Sequence, residues 1–115
     1  MRTLMKSVNL KEHMPSVPSA LSKLDHELVV ARTEGYALVK LIHGYGSTGV
    51  GGEIRVAAQK HLLEMLGGGQ IRACIFGEDW AKSDEQTWKL LSRLPELKHD
   101  DDLGRKNRGI TIVLL

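Results

Sequence analysis

The chain has 115 residues, of which 42% are hydrophobic and 26% are charged, and its formal net charge is +2. This composition is typical of a globular domain and excludes disorder as the default state, and the length predicts one domain over residues 1–115. The single cysteine, Cys74, excludes an internal disulfide and a cysteine-based zinc site. The sequence shows neither an apolar run of the ~20 residues that a membrane span needs nor a secretory signal, so we expect a cytoplasmic protein without membrane partners.

The first third of the chain predicts a strand, a helix and a second strand. Apolar and polar residues alternate over residues 4–11, which is typical of a strand with one partly buried face. Ser16 and Pro18 predict the start of a helix, an apolar stripe at helical spacing follows, and Gly35 predicts its end. The apolar run over residues 36–42 then predicts a buried strand, and glycines follow it directly.

The rest of the chain predicts a second helix, two strands and a different stretch between those strands. Helical spacing predicts a helix over 53–66, and the apolar segments 71–76 and 110–115 predict strands. The stretch between them predicts a short helix that begins at Ser83, with Pro95 after its end. The order β-α-β-α-β-(α)-β predicts a small α/β sandwich in which the last, wholly apolar strand is inside the sheet or covered.

A glycine-rich turn between the second strand and the second helix is the most informative feature. Residues 44–52 contain five glycines. Such a turn lets backbone N–H groups converge on an anion, and the helix N-terminus adds positive potential. Ser47 and Thr48 supply hydroxyl donors and Arg55 supplies a guanidinium, so the segment predicts a site for phosphate. The candidate binding residues are His43, Gly44, Tyr45, Gly46, Ser47, Thr48, Gly49, Gly51, Gly52, Arg55 and Lys11.

The same turn matches nucleotide-binding patterns in part. Gly44-x-Gly46-x-x-Gly49 satisfies G-x-G-x-x-G, and Glu78 and Asp79 follow the next predicted strand, where a Rossmann domain places its ribose-binding acid. The extra glycines before the helix argue against a Rossmann site, and a P-loop is excluded because no Gly-Lys-Ser/Thr follows. A G-x-G-x-x-G nucleotide-binding protein, and glycines that only build a turn, stay open as alternatives.

The segment LIHGYGSTGVGGEIR, residues 41–55, resembles the small MutS-related (Smr) domain family in its His-Gly-x-Gly signature and the arginine that follows. Residues 109–115 resemble the family's closing Gly-x-Thr-x-Val strand. The resemblance covers about residues 6–77 and 107–115, and residues 78–106 are interpreted as an insertion. It implies a four-stranded mixed sheet with two main helices and an antiparallel last strand, similar to the C-terminal domain of bacterial translation initiation factor three. It also implies binding of DNA or RNA, and several members are endonucleases.

One part of the family's pattern is missing. The family's first strand usually ends in Leu-Asp-x-His, with which cleavage is associated, whereas this chain has Val8-Asn9-Leu10-Lys11. An asparagine cannot act as a carboxylate base, and a lysine that is cationic at neutral pH is not a proton shuttle. We therefore predict a stand-alone domain that binds nucleic acid through the glycine-rich turn, does not cleave it and needs no cofactor.

The alternative is an Smr-type endonuclease with a rearranged site. It would use His43 and His13 with the acids Glu78 and Asp79, and Mg²⁺ would be a possible cofactor only in that case. His43 is the one candidate catalytic residue, and a structural histidine that hydrogen-bonds the turn is an equal interpretation. No metal site is predicted from the spacing of the other histidines.

Three further expectations concern the stretch before the last strand. Arg105, Lys106 and Arg108 could form a second phosphate contact. The acidic run 100–102 is expected to be a solvated loop, because consecutive acids do not converge on one ion by themselves. The two tryptophans, Trp80 and Trp88, are expected to pack the inserted helix on the sheet.

Overall fold

The structure, a computed structural model, describes residues 4–13, 15–45 and 50–115, and gives only the backbone of Val50 and Gly51. The predicted order of strands and helices is confirmed. The elements are β1 (Met5–Asn9), α1 (Val17–Thr33), β2 (Leu38–Ile42), α2 (Val50–Gly67), β3 (Ala73–Phe76), α3 (Glu85–Arg93) and β4 (Ile110–Leu114). Short 3₁₀ helices lie at Gly77–Asp79 and Pro95–His99.

The four strands form one mixed sheet in the order β1-β2-β4-β3. β1 and β2 are parallel because α1 connects them, and β4 is antiparallel to both β2 and β3. Leu38 of β2 pairs with Met5 on one side and Leu114 on the other. The predicted mixed sheet, with an antiparallel last strand inside it, is therefore confirmed.

The helices α1 and α2 cover one face of the sheet, as the predicted sandwich requires. Ser16 caps α1, as predicted, by accepting a hydrogen bond from the Ser19 backbone N–H at 3.3 Å. Gly35 follows the helix in the left-handed region with φ 85°, a conformation that glycine adopts without strain. The core between the helices and the sheet includes Leu24, Leu28, Ile54, Ala58 and Leu62 from the helices and Val8, Val39, Leu41 and Val113 from β1, β2 and β4.

The segment predicted as an insertion packs on the opposite face of the sheet. Its core residues Trp80, Leu90 and Leu91 are buried against strand residues that include Ile75 and Ile112. α3 begins one residue later than predicted, because the side chain of Asp84 rather than Ser83 caps it and accepts from the Thr87 N–H at 2.9 Å.

The expectation that both tryptophans pack the inserted helix on the sheet is confirmed for one of them. Trp80 is fully buried, whereas Trp88 is 54% exposed and the expectation for it is wrong. Trp88 is two positions from the buried Leu90, a spacing at which two side chains on a helix do not share a face.

A buried ion cluster holds the acidic run against the sheet, so the expectation of a solvated loop is wrong for Asp100 and Asp102. Lys40, in the middle of β2, is 6% exposed, and its Nζ lies 2.6 Å from a carboxylate oxygen of each aspartate. Trp80 Nε1 donates to Asp100 at 2.9 Å, and Asn107 Nδ2 donates to Asp102 at 2.9 Å. We call Lys40, Asp100 and Asp102 the Lys40 cluster.

No helix in the part of the chain that the structure describes is long and apolar enough to span a membrane.

Candidate functional site

One end of the sheet brings the glycine-rich turn beside the segment that precedes β4. In the register of the sheet, Asn9, Ile42 and Ile110 lie side by side where β1 and β2 end and β4 begins. The backbone N–H groups of His43 and Gly44 both donate to the carbonyl of Gly109, at 2.9 and 3.1 Å. The start of the predicted anion loop is therefore fixed to the end of the basic segment.

An exposed tyrosine and three cations share a shallow groove at this end. Tyr45 is 57% exposed, and its ring lies over Gly109, where an added Cβ would come within 3.3 Å of Cδ1. The groove that Tyr45 lines also includes Arg105, Lys106 and Arg108. All three cations are exposed, and none forms an ion pair with a carboxylate of the described residues. We call Tyr45 and these three cations the basic-loop surface.

The basic loop is held in place from behind by polar contacts. Asn107 donates to Asp102 of the Lys40 cluster and accepts from the Gly109 backbone N–H at 2.9 Å. Gly77 lies so close to the carbonyl of Asn107 that a Cβ at position 77 would sit 1.7 Å from that oxygen. Lys106 has φ 54°, in the left-handed region, so its turn depends on the packing around it. The surface presented by the three cations is therefore built on a braced loop.

Two acidic residues lie in the same groove as the cations. Asp101 is exposed, and Asp102 keeps a quarter of its side chain accessible while it pairs with Lys40. Burial opposes the charge of Asp102, but hydrogen bonds from Lys40 and Asn107 outweigh burial, so the pKa of Asp102 lies below its ordinary value. Lys40 is thus the ion-pair partner of Asp102, and Arg105 adds a weaker attraction to Asp102 without forming an ion pair.

His43 is buried and both of its ring nitrogens are engaged. Nδ1–H donates to the carbonyl of Gly44 at 2.7 Å, because a carbonyl can only accept, and the Thr111 hydroxyl then donates to Nε2 at 2.9 Å. Burial, and next the positive charge of Arg55, lower the pKa of His43, while the Gly44 carbonyl opposes them. The neutral ring braces the turn, and no nitrogen is left to contact a phosphate.

Arg55 lies near the start of α2, as predicted, but it is already paired. Its Nη2 lies 2.8 Å from Glu78 Oε2, and the two side chains are 24% and 33% exposed. Arg55 Nε and Glu78 Oε1 are buried atoms without a hydrogen-bond partner among the described residues. Glu78 therefore competes with any phosphate for the guanidinium of Arg55.

Lys11 is exposed beside the end of β1, where the N–H of Leu10 donates to the carbonyl of Ile42 at 2.8 Å. Asn9, which stands where the Smr pattern has aspartate, accepts the Lys11 backbone N–H at 3.0 Å and closes the turn after the strand. His13 has 90% of its side chain exposed and φ 63°. The end of β1 thus presents the Lys11 cation to solvent, while the side chain of Asn9 is used in a hydrogen bond to the backbone.

The structure describes part of the predicted glycine-rich turn. Gly46, Ser47, Thr48 and Gly49 lie outside the described residues, and Gly51 is described by its backbone alone. Gly52 lies in the first turn of α2. Within the described ranges, no group of three or more histidine, cysteine, aspartate or glutamate side chains could hold a metal ion.

The Lys40 cluster was not predicted from the sequence, although the sequence carries a signal for it. Lys40 stands in the middle of the apolar run LVKLI, and a lysine is almost never fully buried unless it is paired. A lysine at such a position requires acidic partners elsewhere in the chain, and the aspartates at 100–102 are candidates for them. The signal does not say which two of those three acids pair with it.

The strand order bears on the Rossmann alternative. In a Rossmann site the acid at the end of the next strand reaches the ribose across parallel strands. Here the antiparallel strand β4 separates β2 from β3, which precedes Glu78. β3 is therefore not a parallel neighbour of β2, and the Rossmann interpretation of the glycine pattern depends on such a neighbour.

Comparison of the chain with protein-family models, with curated proteins and with solved structures found no match.

Proposed function

We propose that this protein binds DNA or RNA through the basic-loop surface and the adjoining glycine-rich turn, and does so without cleaving it. The observation that carries the proposal is the exposed Tyr45 beside Arg105, Lys106 and Arg108, three cations without ion-pair partners among the described residues. Cations that remain unpaired are able to release counterions from a phosphate backbone, and an exposed aromatic ring can stack on a base. The resemblance of residues 41–55 to Smr domains supports the same class of ligand.

The arrangement favours contacts with the phosphate backbone over reading of base sequence. Arginine and lysine contacts to phosphate position a protein on nucleic acid but carry no sequence information. A single stacking tyrosine tolerates every base, since each base has a π-face. Single strands and loops expose those faces, so we expect unpaired nucleic acid to bind more tightly than duplex.

Binding without cleavage rests on the chemistry at His43 and Asn9. The ring nitrogens of His43 are occupied by Gly44 and Thr111, and Asn9 is neutral and closes a turn. A general base must reach the proton that it abstracts and must have a free lone pair. Neither residue meets both requirements, so neither His43 nor Asn9 can act as the general base of an endonuclease.

Salt dependence and a matched pair of variants test the binding proposal. Fluorescence anisotropy would be measured on labelled 20-nucleotide single- and double-stranded DNA and RNA between 50 and 200 mM KCl. Three phosphate contacts give a slope of log K against log [salt] of about −2 to −3, a loss of roughly 20- to 40-fold across this range. Arg105→Ala/Arg108→Ala should reduce the magnitude of the slope by about 1.5. The control Arg32→Ala/Arg72→Ala removes the same charges from exposed positions at the end of α1 and before β3, and should leave the slope unchanged.

Two outcomes would refute the proposal. The first is affinity that does not change with salt, and the second is an equal loss of binding in both double variants. The same samples, incubated with Mg²⁺ or with a chelator, test for cleavage. Cutting that survives repurification and disappears in His43→Ala would favour the endonuclease instead.

A further inference from the structure

A half-open apolar cavity of about 160 Å³ lies on the face of the sheet covered by α3. Ala73 and Ile75 of β3 and Ile112 of β4 form its floor, and Leu90 of α3 forms a wall. A cavity of about 150 Å³ lined by such side chains holds a molecule the size of benzene. The cavity is therefore large enough for one small ring or a short branched chain.

The mouth of the cavity is positively charged. Lys89 and Arg93 lie one turn apart on α3 and both line the cavity, with Gln86 beside them. Lys89 Nζ is 3.2 Å from Glu85 in an exposed pair, which holds the lysine only weakly, and Arg93 forms no ion pair with a described carboxylate. The described residues that line the cavity include no acid. An apolar interior under two cations is complementary to a molecule with an apolar body and one negative charge.

We propose that this cavity binds a small hydrophobic carboxylate, with its ring or branched chain over Ile75 and Leu90 and its carboxylate at Arg93 and Lys89. Arginine offers two parallel N–H donors to a carboxylate, and lysine adds a point charge. The site is separate from the basic-loop surface. It includes Leu38, which starts β2, whereas His43 follows the other end of that strand.

Three probes that share a benzyl group and differ in charge separate the contributions of the ring and the charge. Phenylacetate, benzyl alcohol and benzylamine would be titrated into ¹⁵N-labelled protein, and the amide shifts would be followed by NMR. We expect phenylacetate to shift the amides of Ala73, Ile75 and Leu90 and to bind most tightly, with benzylamine weakest. Arg93→Gln should weaken phenylacetate roughly three- to fivefold, as the loss of one partly exposed charge contact allows, and should leave benzyl alcohol unchanged.

A substitution that fills the cavity gives the complementary test. Ala73→Leu adds three carbon atoms at the floor and should abolish the shifts from all three probes, while the spectrum itself reports whether the variant is folded. The proposal is overturned if no cavity amide shifts at tens of millimolar phenylacetate. It is also overturned if benzylamine binds the unmodified protein as tightly as phenylacetate, a comparison that needs no variant.

Discussion

Lys40→Met should destabilise the protein strongly, because it removes the cation from the Lys40 cluster and leaves two carboxylates together. Asp100 has 11% and Asp102 has 25% of its side chain exposed, so neither aspartate is fully hydrated. Removing one partner of a buried ion pair costs about 3–5 kcal/mol, and the partial exposure of Asp102 places the expected loss at about 3 kcal/mol. For a domain of this length, that loss lowers the melting temperature by about 12 °C.

Urea unfolding followed by circular dichroism measures the change in the free energy of unfolding. Lys89→Met is the matched control, since it removes a lysine from an exposed pair and should change that free energy by no more than about 0.5 kcal/mol. Adding Asp102→Asn to Lys40→Met should recover part of the loss, because the amide oxygen can still accept from Asn107 and one unpaired charge is gone. A loss below ~1 kcal/mol in Lys40→Met, or no recovery in the double variant, would refute this account of the cluster.

The same cluster sets the pH range over which its contribution is present. Burial opposes the charge of Lys40, but hydrogen bonds to Asp100 and Asp102 outweigh it and raise the pKa of Lys40 above its ordinary value. The lowered pKa of Asp102 means that its contribution is present above about pH 4 and is lost as the pH falls through that lowered value. The contribution of Lys40 persists to alkaline pH and is lost only above about pH 10.5. Lys40→Met should therefore reduce the part of the fall in the free energy of unfolding that occurs below about pH 4.

Three further substitutions test other parts of the structure. Burial lowers the pKa of His43, so the unfolded chain binds a proton that the folded chain excludes. The free energy of unfolding should therefore decrease as the pH falls below about 6.5. His43→Asn should make this decrease smaller when the free energy is measured by urea unfolding at several pH values. Glu78→Gln should free Arg55 for phosphate and tighten nucleic-acid binding by two- to tenfold in anisotropy at low salt; weaker binding would contradict this account of the pair. Gly77→Ala should lower the free energy of unfolding, measured by urea unfolding, by at least about 2 kcal/mol, since its Cβ would collide with the backbone of Asn107. An unchanged free energy would show that the loop can move away from the added methyl group without cost.

Periodicity and end signals explain why the helices and strands could be predicted. The apolar stripe of α1 and the Ser16 cap are local features, and each acts within a few residues of the chain. The same locality explains the small error at α3, since Ser83 and Asp84 are both good capping residues in adjacent positions.

The errors concern residues whose environment depends on distant partners. The acidic run looked solvated because its partner, Lys40, lies some 60 residues earlier in the chain. Trp88 looked buried because helical spacing alone does not decide which side of a short helix faces the sheet. Both outcomes depend on packing between separate segments, which periodicity does not report.

The candidate site also combines features that local sequence predicts with contacts that distant residues supply. The glycine-rich turn was predicted from a local pattern that includes His43. The occupation of both His43 nitrogens required Thr111, which a different strand supplies. Arg55 was expected to be available to phosphate, and Glu78 from the segment after β3 changes that availability. Tyr45 and the basic segment meet only because β4 returns antiparallel beside β2.

The position of β4 between β2 and β3 constrains the order of events during synthesis. Leu38 and Ala73 both pair with Leu114, so the two strands that are made earlier have no hydrogen-bonding partner between them until residues 110–114 have left the ribosome. Until then β2 and β3 present open edges, and such edges template contacts with other chains. Closing so distant a pairing is slow compared with forming a helix. Early packing of α1 can cover one face of β1 and β2, but the edges of β2 and β3 that pair with β4 stay open until the last strand is in place.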